Sequence, residues 1–359
     1  MARKESEIEV EGRQIKLSNL EKVLYPKAGF TKGQVIDYYV RIAPVLLPHL
    51  EGRPLTLKRY PNGVDGMYFY EKNCPKYRPA WMKTAHVWSA GNNRFMDYCL
   101  VADLPTLVWL GNLADLELHT WLARAPETQQ PTVIAFDLDP GLPANIVQCC
   151  QVGLWIRAIF EQLGLQSFAK TSGSKGLQVY VPLNTAVTYE QTKPFARAIA
   201  RLLEERHPDH VVSDMKKALR TNKVFVDWSQ NDDFKTTVNV YSLRAKEQPT
   251  VSTPVTWQEV EQCLARKDPE LLVFTADQVL KRVEKSGDLF EPVLKLKQKL
   301  PPLNALGSPD QGTAIPSRAS KAKSVRNTKK ATSARPARKA IAASRKARVK
   351  SKKSKSKPR

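Results

Sequence analysis

Apolar and polar residues follow two different periods along the first 300 residues, and these periods predict both helices and strands. Apolar residues that recur every three or four positions predict amphipathic helices over residues 31–47, 104–113, 145–162, 189–205, 257–265 and 276–283. Shorter apolar or alternating stretches predict strands over residues 55–60, 95–101, 116–121, 133–139, 224–227 and 236–241, and around positions 168 and 179. Helices and strands are interspersed, so the predicted fold class is mixed α and β.

Two acidic residues end the apolar strand at 133–139. Asp137 and Asp139 are two positions apart, so their side chains lie on the same face of a strand. Carboxylates held that close repel each other unless positive charge lies between them, and a divalent cation is the usual remedy. The strand at 224–227 ends in a third acid, Asp227. Together the three acids predict a site where metal ions meet a phosphorylated substrate, although the first two alone would also fit a solvated strand end.

A glycine-rich loop follows the predicted strand near position 168. It reads Lys170-Thr171-Ser172-Gly173-Ser174-Lys175-Gly176. Its two glycines would let backbone N–H groups approach phosphate oxygens, and Lys175 would add a positive charge. The GxxxxGK[ST] spacing of a Walker A loop is absent, and an ordinary polar turn is the alternative interpretation.

Basic and aromatic residues are interleaved in the first 70 residues. They include Asn19, Lys22, Lys32, Lys58, Phe69 and Tyr70. Cations neutralise phosphates while rings stack on bases, so this mixture suits nucleic acid. For the two aromatic residues, a half-buried sheet face is the alternative.

Composition adds a globular core and a very basic C-terminal segment. Hydrophobic residues make up 42% of the 359 residues, which is enough for a substantial core. The net charge is +22, from 57 Lys and Arg against 35 Asp and Glu, but residues 301–359 hold 18 of the basic residues and a single acid. That segment has almost no large apolar residue. We therefore expect a folded domain over residues 1–300 and a disordered Lys/Arg-rich tail over 301–359 that binds DNA.

Cysteine usage and hydropathy suggest the compartment. The five cysteines form no CxxC pair, and their odd number predicts neither a disulfide framework nor a cysteine-built zinc site. The sequence shows no signal peptide and no apolar run of about 18 residues. We expect a soluble, cytoplasmic protein with no membrane partner.

Six segments resemble the polymerase module of bacterial ligase D, a member of the archaeo-eukaryotic primase superfamily used in non-homologous end joining. They are residues 17–26 (LSNLEKVLYP), 58–65 (KRYPNGVD), 136–141 (FDLDPG), 171–177 (TSGSKGL), 224–231 (VFVDWSQN) and 241–244 (YSLR). The resemblance spans residues 12–290. It implies a primase-polymerase catalytic core with a central, largely antiparallel sheet flanked by helices, plus a smaller β-rich N-terminal part.

The resemblance also implies a reaction, namely template-directed addition of nucleotides, often ribonucleotides, to a primer 3′-hydroxyl at DNA gaps or broken ends. Asp137, Asp139 and Asp227 would bind two Mn²⁺ or Mg²⁺ ions for an in-line attack on an NTP or dNTP. The implied nucleotide-binding residues are His119, Ser172, Lys175, Gln178, Arg244, Lys58 and Gln230. The implied residues for DNA and its 5′-phosphate are Asn19, Lys22, Lys32, Phe69, Tyr70 and Arg220.

The family usually fuses this module to ligase and nuclease modules, whereas here a basic tail stands instead. A separate ATP-dependent DNA ligase and the end-binding protein Ku are therefore the expected protein partners, and the nucleoid is the expected location.

One position departs from the family pattern, which continues the glycine-rich loop as SGSKGLH. This chain has Gln178 in place of the histidine. Glutamine donates hydrogen bonds but cannot become a cation. If the histidine neutralises triphosphate charge, its loss would cost on the order of 1.5–3 kcal/mol, or roughly ten- to a hundred-fold in rate. We therefore expect a weakened enzyme.

Two alternatives to a polymerase stay open. One is a DNA-end-binding scaffold that has lost turnover, which Gln178 makes credible. The other is a haloacid-dehalogenase-like phosphatase with Asp137 as nucleophile, Asp139 as acid/base, and Asp232 and Asp233 as distal metal ligands. Pro140 argues against the phosphatase, because that family's motif usually reads DxDGT.

Removing the tail should weaken DNA binding and flatten its dependence on salt, because each phosphate neutralised contributes about 0.9 to the slope of log K against log salt. Fluorescence anisotropy on a labelled duplex between about 50 and 200 mM salt measures both quantities. A chain whose tail is replaced by an uncharged Gly/Ser segment of equal length is the control for length. Unchanged affinity and slope in the tail-deleted protein would show that the tail does not bind DNA.

Overall fold

Two six-stranded sheets form the centre of the computed structural model, which describes residues 5–89 and 93–306. The strands in these ranges are β1 (Glu5–Val10), β2 (Arg13–Ser18), β3 (Val23–Tyr25), β4 (Phe30–Thr31), β5 (Leu55–Arg59), β6 (Phe69–Glu71), β7 (Thr84–Ser89), β8 (Arg94–Cys99), β9 (Asp115–Thr120), β10 (Val133–Pro140), β11 (Phe168–Thr171), β12 (Leu177–Pro182), β13 (Val211–Val212), β14 (Val224–Asp227), β15 (Thr237–Val238) and β16 (Pro254–Val255). The helices are α1 (Lys32–Leu50), α2 (Leu104–Asn112), α3 (Ile146–Gln162), α4 (Tyr189–Arg206), α5 (Trp257–Arg266), α6 (Ala276–Ser286) and α7 (Glu291–Lys295).

The first sheet has the strand order β13-β14-β10-β12-β11-β16, and the second has the order β15-β9-β5-β8-β7 with β6 also paired to β5. All strand pairs in the two sheets are antiparallel except β13 with β14. The hairpin β1–β2 and the pair β3–β4 form small separate sheets. The predicted fold class, a mixed α and β core with a largely antiparallel sheet and a smaller β-rich N-terminal part, is confirmed.

Strand β10 separates two hydrophobic cores. On one face, Ile134, Phe136 and Leu138 are buried in a core formed with α3 and α4, which we call the α3/α4 core. On the other face, Val133 and Ala135 belong to a second core around α1, α2 and β9, which we call the α1/α2 core. Because side chains alternate along a strand, Asp137 and Asp139 lie on the face of Val133 and Ala135, just beyond the α1/α2 core.

Helix starts agree well with the sequence. Thr31 and Asn145 each form a capping box, with Gln34 and Gln148 respectively, at the first turns of α1 and α3. The strand predicted at 236–241 is wrong beyond Val238. Only Thr237 and Val238 pair with β9, and Tyr241 takes a left-handed backbone conformation that no strand continues.

The cysteine prediction is wrong for one pair. Cys74 and Cys99 form a disulfide, with their Cα atoms 5.0 Å apart. The backbone N–H of Cys74 donates to the carbonyl of Asp97, which brings the loop after β6 against β8. The two cysteines are 25 residues apart in sequence, so only the packing of that loop reveals the pairing.

The described chain ends at Leu306, whose side chain packs with Leu300 against the α3/α4 core. Residues 301–306 of the predicted tail are therefore folded, with a 3-10 helix over Leu303–Leu306, and the rest of the predicted tail lies outside the described residues. None of the helices within 5–89 and 93–306 is long and apolar enough to cross a membrane.

The two glycines of the 170–176 loop are required by packing. Gly173 has a φ of +65°, and a Cβ atom there would lie 2.6 Å from the carbonyl carbon of Val251. At Gly176 a Cβ atom would lie 2.2 Å from the carbonyl oxygen of Leu138 on β10. Neither position has room for a side chain, so the glycines hold the loop against the neighbouring backbone.

Gly176→Ala should therefore destabilise the fold, since overpacking costs about 1–3 kcal/mol and in a large domain each kcal/mol lowers the melting temperature by about 2–4 °C. Thermal unfolding followed by circular dichroism measures the loss. Gly33→Ala is the matched control, because neither glycine has a positive φ, and the nearest atom to an added Cβ at Gly33 lies 3.3 Å away instead of 2.2 Å. Equal losses in the two variants would contradict a packing role for Gly176.

Candidate active site

Strand pairing brings two of the three predicted acids face to face. In the register of β10 with β14, Asp137 lies directly opposite Asp227. In the register of β10 with β12, Asp137 also lies directly opposite Gln178. Directly opposed residues of antiparallel strands share a face with Cβ atoms about 4.5–5.5 Å apart, so the three side chains adjoin.

The Asp137 carboxylate lacks a neutralising partner. Burial, followed by the charge of Asp227, raises the pKa of Asp137 to about 6. A hydrogen bond from Gln178 and the charge of Lys170 act in the opposite direction, but they do not cancel the rise. Two acids in this arrangement provide oxygen ligands that are poorly satisfied without a cation.

The other two acids are engaged. Asp139 pairs with the Lys175 ammonium at 2.9 Å and with the Arg220 guanidinium at 3.2 Å. Asp227 accepts hydrogen bonds from the backbone and hydroxyl of Ser229, at 2.9 and 2.6 Å, and from the Gln230 amide at 2.8 Å.

As these side chains stand, no group of three or more His, Cys, Asp or Glu residues within 5–89 and 93–306 is ready to hold a metal ion. The donor set nevertheless fits hard divalent cations, because carboxylate oxygens are the ligands that Mg²⁺ and Mn²⁺ prefer. Binding of such ions would require Asp139 to exchange its two cationic partners for a metal.

A cleft of about 210 Å³ opens above the acids. It brings together eight of the residues predicted from the sequence. They are His119, Asp137, Asp139, Ser172, Lys175, Gln178, Gln230 and Arg244. The Ser172 hydroxyl accepts from the N–H groups of Ser174 and Gly176, and it thereby closes the glycine-rich loop on itself.

A buried acid that the sequence did not single out organises the cations of this cleft. The Glu117 carboxylate, only 1% exposed, lies 3.2 Å from the Lys58 ammonium, 3.0 Å from the His119 ring and 3.3 Å from Arg244 Nε. Burial alone would raise its pKa, but the hydrogen bond from His119 and the nearby charges of Arg244 and Lys58 hold the pKa of Glu117 well below its usual range. Glu117 therefore fixes three residues implied in nucleotide binding.

Signals for Glu117 exist in the sequence but need the strand pairing to be recognised. Glu117 precedes His119 by two positions on β9 and therefore shares its face. Lys58 on β5 lies directly opposite Glu117 in the sheet. That register brings together residues from distant parts of the chain, which no local pattern predicts.

The predicted phosphate-binding residues near the N-terminus also meet. The N–H of Lys22 donates to the Asn19 carbonyl, and the N–H of Lys32 donates to the Lys22 carbonyl, at the first turn of α1. The Lys22 ammonium donates to the Pro61 carbonyl at 2.6 Å. The Lys32 ammonium is buried and donates to the Asn112 carbonyl at 2.9 Å. Asn19, Lys22 and Lys32 thus meet at the start of α1, where the N–H groups of the first turn are already hydrogen-bonded within the protein.

Phe69 and Tyr70 are exposed on the short strand β6, so the half-buried sheet interpretation does not hold for them. The Arg59 guanidinium covers the Phe69 ring at 5.1 Å, and the Tyr70 ring lies 6.0 Å from that of His119. Tyr70 therefore borders the residues around Glu117, and Phe69 packs against Arg59. Arg220, by contrast, belongs with the acids rather than with Asn19, because it pairs with Asp139.

Comparison with known proteins finds close relatives. The sequence profile of the family described as LigD, primase-polymerase domain, matches residues 31–290. The multifunctional non-homologous end joining protein LigD of Mycolicibacterium smegmatis is 40% identical over 281 residues, which cover 78% of this chain and 36% of that protein. The bifunctional non-homologous end joining protein LigD of Bacillus subtilis is 31% identical over 274 residues, which cover 76% of this chain and 43% of that protein. The chain thus spans less than half the length of these relatives.

A solved structure matches over nearly its whole length. The polymerase domain of Mycobacterium tuberculosis ligase D, determined in complex with DNA, superposes with a TM-score of 0.73 at 39% sequence identity. The match covers 79% of this chain and 99% of that domain.

The burial of Asp137 and its repulsion by Asp227 make the stability of the fold depend on pH, and this dependence can be measured without metal. The pKa of Asp137 in the folded state, about 6, lies above its ordinary value. Below about pH 4 the residue is protonated in both the folded and the unfolded state. As pH rises from there, the unfolded state ionises first, so the folded state loses stability until pH passes about 6. In EDTA, Asp137→Asn should raise the melting temperature at pH 7.5 by about 2–4 °C, the shift that roughly 1 kcal/mol produces. The difference from the parent should shrink as pH falls and vanish only below about pH 4.

Asp139→Asn is the matched control, because it leaves Lys175 and Arg220 without their carboxylate and should lower the melting temperature instead. Added Mn²⁺ should stabilise the parent chain by mass action and stabilise Asp137→Asn much less. A lower melting temperature for Asp137→Asn at pH 7.5 in EDTA would contradict this account.

Proposed function

This chain belongs to the LigD primase-polymerase family, and from that premise we propose that it is a DNA-directed nucleotidyltransferase that extends primer 3′-hydroxyl ends at gaps or breaks during non-homologous end joining, with a preference for ribonucleotides. The observation that carries the proposal is the opposition of Asp137, which lines the cleft, and Asp227 on the neighbouring strand β14, beside cations that line the same cleft. Unneutralised acids beside cations suit a substrate that brings both phosphate charge and divalent ions.

The acids would hold the cofactor. Asp137, Asp139 and Asp227 would bind two Mn²⁺ or Mg²⁺ ions, which when bound supply activation of the attacking hydroxyl and neutralisation of charge on the phosphates. Lys175 and Arg220, which pair with Asp139 in the structure, would turn from the carboxylate to the phosphates as the nucleotide enters. The same two cations would thus neutralise Asp139 in the free protein and the phosphates in the nucleotide complex.

The cluster around Glu117 would bind the triphosphate of an incoming NTP or dNTP. Lys58, His119 and Arg244 are held by one carboxylate, so they lose little conformational freedom when a nucleotide binds. The Arg244 guanidinium also donates to the Ser172 carbonyl, which connects this cluster to the glycine-rich loop.

DNA would be bound at two further places. The side chains of the Asn19, Lys22 and Lys32 cluster at the start of α1 would hold the 5′-phosphate on the far side of the gap. Phe69 and Tyr70, being exposed beside the nucleotide cluster, would stack near the template base. With the basic tail as an additional DNA contact, we propose a nucleoid-associated cytoplasmic location and cooperation with Ku and an ATP-dependent DNA ligase.

The rival functions have less support. Asp232 pairs with Lys193 and Asp233 with Gln129, and neither acid lines the cleft, so the phosphatase has no distal metal ligands. The scaffold alternative has one observation in its favour, the engagement of Asp139 by two cations. It predicts binding of DNA ends without nucleotide incorporation.

Primer extension on a 5′-phosphorylated gapped duplex tests the proposal, comparing rNTP with dNTP and Mn²⁺ with Mg²⁺. We expect incorporation directed by the template, faster with rNTP, and its loss in Asp137→Ala. Gln178→His should extend primers no faster than the parent, because a protonated histidine would lie beside the buried Lys170 ammonium. End binding without incorporation of labelled nucleotide in Mn²⁺ would instead support the scaffold. A Gln178→His variant about tenfold faster than the parent would show that the glutamine weakens the enzyme.

A further inference from the structure

Lys170 is a fully buried lysine without a carboxylate partner among the described residues. Its ammonium donates to Gln178 Oε1 at 2.5 Å, to Ser252 Oγ at 2.7 Å and to the Val238 carbonyl at 3.0 Å. All three acceptors are uncharged. Burying an ammonium in this way carries a desolvation cost that a methionine of similar length would not incur. The two hydrophobic cores do not require a charge at this position. The desolvation cost of Lys170 therefore indicates that this lysine has a role in the site.

Strand register connects Lys170 to the acids. Lys170 on β11 lies directly opposite Gln178 on β12, Gln178 lies directly opposite Asp137 on β10, and Asp137 lies directly opposite Asp227 on β14. The four side chains therefore form one row across four neighbouring strands. We call this row the cross-strand row.

The chemistry of each group fixes the direction of hydrogen bonding along the row. An ammonium only donates, so the Gln178 atom that faces Lys170 is the amide oxygen. The amide nitrogen then points the other way, toward Asp137, the residue directly opposite Gln178 on β10, so the group that Gln178 presents to this carboxylate is a donor. Without Lys170, nothing on the β11 side would distinguish the two ends of the amide.

We propose that Lys170 is a positioning residue, which fixes the Gln178 amide with its N–H donors toward Asp137 and thereby holds that carboxylate ready for a divalent ion. The inference rests on the proposed function, because it takes Asp137 as an ion ligand. Residues that hydrogen-bond to a metal ligand typically raise metal affinity by about 10- to 100-fold. Lys170 acts on Asp137 indirectly, through Gln178.

A double-mutant cycle on Mn²⁺ binding tests the proposal without relying on activity. The variants are Lys170→Met, Gln178→Met and the double variant, with Mn²⁺ affinity measured by isothermal titration calorimetry or by the electron paramagnetic resonance of free Mn²⁺. We expect each single variant to bind Mn²⁺ about tenfold more weakly and the double variant to be no more than about twofold worse than either single variant. In Lys170→Met, primer extension should show the same loss as a higher Mn²⁺ requirement, with kcat at saturating Mn²⁺ nearly unchanged.

Two controls separate positioning from a general loss of stability. Ser252→Ala removes another acceptor of Lys170 but keeps the contact with Gln178, so its Mn²⁺ affinity should stay within about twofold of the parent. In EDTA, the melting temperature of Lys170→Met measures what the fold loses when Gln178, Val238 and Ser252 lose their donor, and Mn²⁺ affinity is measured well below that temperature. If Lys170→Met does not fold, Gln178→Met decides alone.

Three results would overturn the proposal. These are an unchanged Mn²⁺ affinity in Lys170→Met or Gln178→Met, losses that multiply in the double variant, and a loss in Ser252→Ala equal to that in Lys170→Met. In these cases a parent chain that binds Mn²⁺ and extends primers would leave the proposed function standing. A parent chain that binds no Mn²⁺ would remove the proposed function and this inference with it.

Discussion

The register of β10 with its two neighbours is the constraint on which the site depends. Asp137 can face Asp227 and Gln178 only if β10, β12 and β14 pair as they do, and the hydrophobic cores enforce that pairing. A slip of one residue would turn Asp137 and Asp139 into the α3/α4 core and turn Phe136 and Leu138 out of it. Burial of one such apolar side chain is worth about 1.5–3 kcal/mol, and an unpaired buried carboxylate costs several more. Apolar packing thus outweighs the repulsion between the acids that it brings together.

Two acids, Glu117 and Asp139, hold the basic side chains around the cleft, whereas Asp137 has no ion-pair partner among the described residues. Glu117 holds Lys58, His119 and Arg244, while Asp139 holds Lys175 and Arg220, so most cations already have an acidic partner. A polyanionic substrate has to compete with those carboxylates for the same cations. It can do so at little cost only if something else neutralises Asp139, and a divalent ion meets that need. Binding of the ion and of the nucleotide are therefore thermodynamically linked in this geometry.

The sequence predicts what is local and misses what depends on pairing between distant segments. The apolar strand ending in Asp137 and Asp139 is visible because its pattern is continuous, and α1 and α3 are visible because their capping residues adjoin a helical period. Glu117 is not visible, since its importance comes from Lys58 on another strand. The disulfide of Cys74 with Cys99 was missed for the same reason. The glycines of the 170–176 loop illustrate a third case, because the sequence gives their presence but only the neighbouring backbone of Leu138 and Val251 explains it.

Position 178 shows how a departure from a family pattern changes meaning once its neighbours are known. In the sequence, glutamine in place of histidine reads as the loss of a cation beside the triphosphate. In the structure, the Lys170 ammonium lies 2.5 Å from the side chain at that position. A protonated histidine there would put two positive charges close together, which costs about 4 kcal/mol at 4 Å and an effective dielectric constant of 20. A neutral side chain at 178 is thus the form compatible with a buried lysine on β11, and the positive charge near Asp137 comes from one strand further along the sheet.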